Sequence, residues 1–507
     1  MKTPPAPPQW VSQLGGLPAD AFFEKVIAEG FGLTFPDVKV TSSFSAISAT
    51  DGDVTTRFSR NIPLLVPISG AAMDTVTESA MAIALALEGG IGVIHKNLSP
   101  DDQAREVAKV KHFVHGLIRT PVTFGPDETV SNVLATCAGK SYRFRTFPIV
   151  SSGGTLLGLV TSQDFGFDQE TATRMSEIMT KDVVTVPAGT KPEDALRKMV
   201  AEKKKVLPVV NENHLLVGLY LRSDLERVVR RNTRANLDSN GQLFVAAATR
   251  TGLAGMERNR KLVEAGVNAL VVDTAHGDTR DMFETISLLR QEFGDEIDIV
   301  AGNVSEPESA WRLASAGVDA IKVGQGPGSI CTTRKVAGIG NPQVTAVYAC
   351  ARAIREFPEV CVIADGGITA SGDITVALAT GAHSVMVGRA LAGCDEAPGD
   401  VQEIGGVRFR YYRGMGSLAA LRANAESRAR YGQTGSGKFV AEGVEARIPV
   451  TGPVADEIAK LVGGLKAGLG YIGAQNLDEL RKLARFRRLT PGAVQESNPH
   501  SLAQVIG

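Results

Sequence analysis

The sequence predicts an α/β fold, a (β/α)8 barrel interrupted by an inserted tandem repeat. Three observations predict it. First, an apolar helix end, a glycine and a continuous apolar strand recur as one unit. Leu87-Glu88-Gly89-Gly90 precedes IGVIH, Val263-Glu264-Ala265-Gly266 precedes VNALVVD, Ala314-Ser315-Ala316-Gly317 precedes VDAIKVG, and Ala379-Thr380-Gly381 precedes AHSVMVG. Gly90, Gly266, Gly317 and Gly381 suit a cap at which the chain passes through positive φ. Strands this continuously apolar are buried on both faces, as in a parallel sheet. Second, the strands run into polar or glycine-rich segments at Asp273, Asn303, Gly324, Asp365 and Gly388. Such ends would ring one face of a barrel, whereas a doubly wound sheet would gather them at one switch point. Third, residues 147–164 and 207–224 repeat at an offset of sixty, pairing Pro148 with Pro208, Gly158 with Gly218 and Asp164 with Asp224.

The helices between strands carry start signals. Thr75-Val76-Thr77-Glu78, Ser305-Glu306-Pro307-Glu308 and Thr190-Lys191-Pro192-Glu193 have capping-box spacing, and Ser99-Pro100 reads as an N-cap followed by proline at the first helical position. The barrel is expected over residues 1–113 and 233–507. The repeat over 114–232, as two copies at 116–174 and 175–232, would sit in a βα loop.

Composition sets the outer bounds. The chain has 507 residues, 43% of them apolar and 21% charged, with a formal net charge of -1. A sizeable core is available, and disorder of the bulk is excluded. Neutrality argues against nucleic-acid or anionic-membrane binding, which need a basic excess. No apolar run is long enough to span a bilayer, and MKTPPAPPQW has no apolar signal core, so a cytoplasmic protein is expected. Five cysteines without a C-x-x-C fit a reducing compartment and exclude a cysteine-based zinc site. The 54 glycines, with no Gly-X-Y period, point to many tight loops with exposed amides.

The most informative loop is Gly324-Gln-Gly-Pro-Gly-Ser-Ile-Cys331-Thr-Thr-Arg334. Its G-x-G-x-G spacing differs from the dinucleotide fingerprint and opens no helix at once. It reads as exposed backbone carbonyls and amides presenting one thiol. Arg334 and Lys335 would favour the thiolate. The other cysteines look inert: Cys350 lies in a helical pattern, Cys361 in a strand, Cys137 near a helix end. Cys394 is expected in a loop where Asp395 and Glu396 raise its pKa. Asp365-Gly366-Gly367 and Gly388-Arg389 come late in the barrel, where a phosphate commonly rests on loop amides. A carboxylate beside such glycines suits ribose hydroxyls.

These residues carry two resemblances. The repeat resembles a tandem pair of CBS motifs, which implies a purine nucleotide in the cleft between copies, with Asp164 and Asp224 at the ribose carboxylate positions. GPGSICTTR, AAMDTVTE, VVDTAHG, ADGG, YRGMGSL and GAVQESNPH together resemble the IMP dehydrogenase family over nearly the whole chain. That resemblance implies oxidation of inosine 5'-monophosphate to xanthosine 5'-monophosphate by NAD, through a covalent thioimidate on Cys331. It implies a catalytic set of Cys331, Thr333, Arg430 and Tyr431, the last two on a mobile flap at about 400–450 loosened by Gly432, Gly435 and Gly437. It implies substrate contacts from Ser329, Asp365, Gly366, Gly367, Gly388, Arg389, Tyr412, Gly414, Met415, Gly416 and Glu442. Asp273, Asn303, Gly324 and Gly326 would face the cofactor. A monovalent cation, usually potassium, would rest on Gly326, Gly328 and Cys331, with Glu496, Ser497 and Asn498 from a neighbouring subunit. Homotetramers that can pair into octamers are implied.

The chain departs from the family pattern at four places. Gly70 replaces a serine and would remove a nucleotide contact. Arg389 replaces a small serine at the phosphate site, Asn498 a histidine, and Asp278-Thr279 a His-Ser pair. Two alternatives stay open: GMP reductase, which uses NADPH and needs no hydrolytic flap, and a non-catalytic nucleotide sensor.

Overall fold

The computed structural model describes residues 15–48, 50–113, 117–118, 121–139, 146–165, 172–222, 225–226, 229, 234–433 and 438–499. The chain divides into two compact units. One comprises Met1–Lys111, Arg234–Leu237 and Leu243–Gly507; the other comprises His112–Thr233 and Asp238–Gln242.

The larger unit is a closed barrel of eight parallel strands. In chain order they are β1 (Ile68–Gly70), β2 (Ile91–Ile94), β3 (Val245–Thr249), β4 (Ala269–Asp273), β5 (Asp298–Val304), β6 (Ala320–Val323), β7 (Cys361–Asp365) and β8 (Ser384–Val387). Each pairs with its sequence neighbour, and β8 closes on β1 through Val385↔Ile68 and Val387↔Gly70. Alternate side chains fill the interior: Ile91 and Val93, Ala246 and Ala248, Ala269 and Val271, Cys361 and Ile363. The remaining side chains pack outward, so the strands needed apolar residues at every position. A hairpin of Thr56–Ser59 and Ile62–Leu64 closes the N-terminal end with Phe58, Ile62 and Leu64. It is pinned by Ser59 and Asn61, whose side chains donate to Asp298 at 2.5 and 2.7 Å.

The glycine turns recur as expected at Gly266, Gly317 and Gly381, each at positive φ. Before β2 the assignment shifts by one residue: Gly89, with φ 92°, makes the turn instead of Gly90. Ser99 does cap its helix, accepting from the Asp102 amide at 3.1 Å. The three capping boxes do not form. The helices begin after Glu78, Glu306 and Lys191, and none of these residues makes a side-chain cap. Thr75, Ser305 and Thr190 are used elsewhere; Thr190 donates to the Pro187 carbonyl, and Ser305 to Gln325.

The insertion point also differs from expectation. The chain leaves the barrel after helix Pro100–Phe113 and re-enters before β3. That is an αβ connection, at the barrel end opposite the βα loops. Asn236 marks the return: its amide donates to the Ala86 carbonyl, and its side chain donates to Pro63 and Gly90.

Within the smaller unit the two copies share a register. Phe147–Val150 pairs with Leu156–Val160 through Pro148↔Leu159 and Ile149↔Gly158. Val206–Val210 pairs with Leu216–Leu221 through Pro208↔Leu219 and Val209↔Gly218. The offset of sixty is thus kept residue for residue. Asp164 accepts from the amide and hydroxyl of Thr161 at 2.6 and 2.8 Å. Asp224 lies outside the described residues, as do Gly435 and Gly437.

At the foot of the barrel His383 accepts from the Val362 amide at 3.0 Å. Burial, with Arg481 and Arg57 nearby, pushes its pKa from 6.5 down to about 3. Above pH 6.5 the imidazole is neutral folded and unfolded. Below it the unfolded chain gains a proton that the folded chain refuses, so stability falls as pH drops between those values. Urea denaturation should show His383→Asn with a flatter acid limb than the parent, by up to about 1.4 kcal/mol per pH unit. Parallel limbs would refute this.

Candidate active site

The βα ends converge on an open cleft. Its floor is Met73, Ile330 and Met386, and its walls carry Asp273, Asn303, Lys322, Asp365, Tyr412 and Glu442 around Cys331. Asp273, Asn303 and Asp365 each stand at or near the end of a strand, where the apolar pattern stops and side chains can turn into the opening.

One buried ammonium organises the wall. Lys322, 2% exposed, pairs with Asp273 at 2.9 Å and with Asp365 at 2.6 Å. It also donates to the Asn303 side-chain oxygen. Asn303 in turn donates to the Gly324 carbonyl at 2.6 Å and to Asp365 at 2.8 Å. Arg430 reaches the other carboxylate oxygen of Asp273. Two carboxylates thus face two cations in a largely buried setting, where an unpaired charge would be costly. Lys96, fully buried below them, donates to the carbonyls of Thr249 and Asp273, at 3.2 and 2.5 Å. Burial, then the Arg430 charge, push its pKa well down.

The cysteine loop is stitched to the segment that covers it. The Thr332 amide donates to the Glu442 carbonyl, the Val444 amide to Ile330, and the Glu442 amide to Gly416. Cys331 Sγ lies 3.3 Å from Thr333 Oγ1. Arg334 does not simply face the thiol: its guanidinium donates to the carbonyls of Gln325 and Asn341, at 3.0 and 2.5 Å. Gly324 has φ 151°, and a side chain there would meet the Asp365 carbonyl at 2.0 Å.

The covering segment runs through a three-stranded sheet of Val401–Ile404, Val407–Arg413 and Glu445–Pro449, with short helices Leu418–Ala423 and Ala425–Arg430 between. It delivers Arg430 and Tyr431 to the cleft. The Tyr431 ring lies flat over Gly416, where a methyl group would sit 2.7 Å from the ring. Burial raises the pKa of Tyr431, against the lowering effect of Arg430. Tyr412 is buried and bonded to Ser329, and burial raises its pKa to about 12.

Of the residues singled out from sequence, Cys331, Thr333, Arg430, Tyr431, Asp365, Gly366, Tyr412, Gly414, Met415, Glu442, Asp273, Asn303, Gly324, Gly326 and Gly328 line one cleft. Ser329, Gly388 and Gly416 stand just behind, against Tyr412 or Tyr431. Gly367 packs on Phe35 and Pro327. Arg389 is exposed and does not line the cleft. Glu496, Ser497 and Asn498 end helix Pro491–Glu496, which packs near Phe35–Asp37, away from the cleft lining.

Packing accounts for two of the departures from the family pattern. A side chain at Gly70 would run into Leu85 and Thr77, so there is no room for the serine of the family pattern unless they shift. Asp278 binds Arg312 and Ser309, while Thr279 caps helix Arg280–Phe293. Cys394 is fully buried beyond helix Arg389–Ala392, and burial more than its acidic neighbours raises its pKa to about 11.

Lys322 and Lys96 were missed from sequence. Lys322 had a signal, a cation inside the apolar strand of VDAIKVG. Lys96 had the same signal at the end of IGVIHKN.

The cysteines should separate by reactivity. Cys137, Cys350, Cys361 and Cys394 are buried, whereas Cys331 is accessible. Burial raises Cys361 to about 12 and Cys350 further still. Brief iodoacetamide treatment of native protein should therefore modify the Cys331 peptide first, as read by mass spectrometry. Equal labelling of the buried cysteines would contradict the packing.

A family model described as IMP dehydrogenase / GMP reductase domain matches residues 32–500. Inosine-5'-monophosphate dehydrogenase of Bacillus subtilis is 43% identical over 476 residues, covering 93% of this chain and 96% of that protein. The protein of the same name from Aquifex aeolicus is 45% identical over 487 residues, covering 94% and 97%. Among solved structures, a GMP reductase variant from Trypanosoma brucei in complex with guanosine 5'-monophosphate aligns with TM-score 0.83 and 37% identity, covering 93% of this chain and 98% of that one. The chain belongs to the IMP dehydrogenase / GMP reductase family.

Proposed function

We propose that this chain oxidises inosine 5'-monophosphate to xanthosine 5'-monophosphate with NAD. The observation that carries the reading is the meeting of Cys331 and Thr333 with Arg430 and Tyr431 in one cleft. The Cys331 thiolate adds to C2 of the purine. Hydride then leaves C2, and a thioimidate on Cys331 remains. NAD supplies the hydride acceptor. Water adds to C2 and expels the thiolate, with Arg430, Tyr431 and Thr333 placed to orient the water and take its proton.

Asp365 faces the ribose hydroxyls in this reading, with Ser329, Tyr412, Gly366, Gly367, Gly388, Gly414, Met415, Gly416 and Glu442 completing the nucleotide site. Asp273, Asn303, Gly324 and Gly326 lie on the NAD side. Their polar side chains and open backbone suit a ribose and amide, once Arg430 leaves Asp273. The carbonyls of Gly326, Gly328 and Cys331 belong to one turn and would hold a monovalent cation. Gly328 already accepts from the Cys331 amide and keeps a second lone pair. Glu496 and Ser497 would have to come from a second copy, consistent with a tetramer. The inserted unit is read as a CBS pair that takes a purine nucleotide, and the protein as cytoplasmic.

GMP reductase is the second reading, favoured by the similarity to the Trypanosoma brucei structure. The Arg430–Tyr431 pair and the dehydrogenase names of the curated relatives weigh against it. NADH appearing from inosine monophosphate and NAD supports the dehydrogenase. NADPH consumed with guanosine monophosphate reverses the assignment. Two variants test the chemistry. Cys331→Ala should abolish turnover while nucleotide still binds in calorimetry; residual turnover would refute the covalent step. Arg430→Ala should leave the first-turnover burst of NADH nearly intact and slow later turnovers by about 100-fold or more. Equal slowing of both phases would place Arg430 elsewhere in the cycle.

A further inference from the structure

Helix Ala425–Arg430 has six residues, too few to hold its own shape in water. Its position over the cleft must come from tertiary anchors. One is Asn97, which accepts from the Ser427 hydroxyl at 3.2 Å and whose carbonyl accepts from Asn424 at 2.9 Å. Another is the Arg430 carbonyl, which accepts from the Ala275 amide at 3.3 Å. A third is charged. Glu426, with 14% of its side chain exposed, pairs with Arg258 at 3.2 Å, and Arg250 lies 3.8 Å away.

Arg258 is well prepared for that role. Its side chain is 5% exposed. It also donates to Gln103 at 2.5 Å and to the Leu98 carbonyl at 3.0 Å. Gln103 is itself fixed by the carbonyls of Ile94 and Ala248, at 3.1 and 2.8 Å. The cation is thus bolted to β2 and β3 before the helix arrives. Among the described residues, the other Glu426 oxygen is buried without a hydrogen-bond partner. A carboxylate half-satisfied in this way holds its partner yet gains water when it leaves, which suits a latch that must open each cycle.

We infer that Glu426 is a positioning residue whose ion pair with Arg258 latches the helix bearing Arg430 and Tyr431 over Cys331. This deepens the dehydrogenase reading and rests on it. The latch lies apart from the reacting atoms, so it acts on the closed state that hydrolysis needs and leaves hydride transfer alone. Burial disfavours the Arg258 charge and Glu426 favours it, as expected of a pair formed only when the helix is docked.

The test compares Glu426→Gln, Arg258→Lys, Arg258→Gln and the Glu426→Gln/Arg258→Gln double variant. The first-turnover NADH burst counts folded, competent sites. In Glu426→Gln the burst rate should stay within about twofold, while steady-state turnover falls about tenfold. Trypsin should cut after Arg428 or Arg430 several-fold faster. The double variant should be no worse than the poorer single one, and Arg258→Lys should keep part of the turnover that Arg258→Gln loses. An unchanged ratio of burst to steady-state rate in Glu426→Gln overturns the latch. A parent chain that makes no NADH would instead sink the dehydrogenase reading. Trypsin would then decide the latch alone: faster cleavage of Glu426→Gln keeps it, and equal cleavage overturns it.

Discussion

The ammonium of Lys322 is the constraint on which the cleft depends. It springs from β6, inside the barrel wall, and touches the polar ends of three other strands: Asp273 on β4, Asn303 on β5 and Asp365 on β7. A cation there would be untenable alone. Two carboxylates around a single lysine would also leave excess negative charge. Arg430, arriving from the covering segment, supplies the missing positive charge at Asp273. Closure of the cleft is therefore partly an electrostatic act. With Arg430 in place the charges of the buried group balance.

The same segment is tied down at several depths. A bridge joins Cys331 to Gly443, and at Gly414 a side chain would start 3.0 Å from the Ile330 carbonyl, so the two segments pack closely there. Arg413 grips Asp74 at 2.6 Å beyond the end of β1. The latch between Glu426 and Arg258 is the outermost of these ties. The inner contacts shape the surroundings of Cys331, and the outer ones hold the helix that carries Arg430.

Much of this was legible in the chain because it is local. Strand–helix alternation, glycine turns and polar strand ends repeat within a few residues, and the cysteine loop is contiguous. The repeat was legible to the residue, since Pro148↔Leu159 and Pro208↔Leu219 obey the offset read from sequence. What escaped is non-local or competitive. Arg258 and Glu426 are 168 residues apart and carry no joint pattern. The capping boxes failed because a threonine or serine three residues before glutamate also suits a tight turn. At Thr75–Thr77 such a turn forms, with the amides of Val76 and Thr77 both reaching the Met73 carbonyl. The repeat enters through a different kind of loop from the one expected, although Ser99 already marks the start of a helix between β2 and the repeat.

The insertion point keeps the repeat out of the βα loops of the barrel. Among the described residues, those lining the cleft come from 71–73 and 273–442, all in the larger unit. Both junctions, at Lys111 and Arg234, lie on the αβ side, and the return is fastened to the carbonyls of Ala86, Pro63 and Gly90 beneath the strands. A βα insertion would have interrupted the loops that carry Cys331 and its partners. An αβ insertion leaves the catalytic loops to their own ties, Arg258 with Glu426 and Asp273 with Arg430.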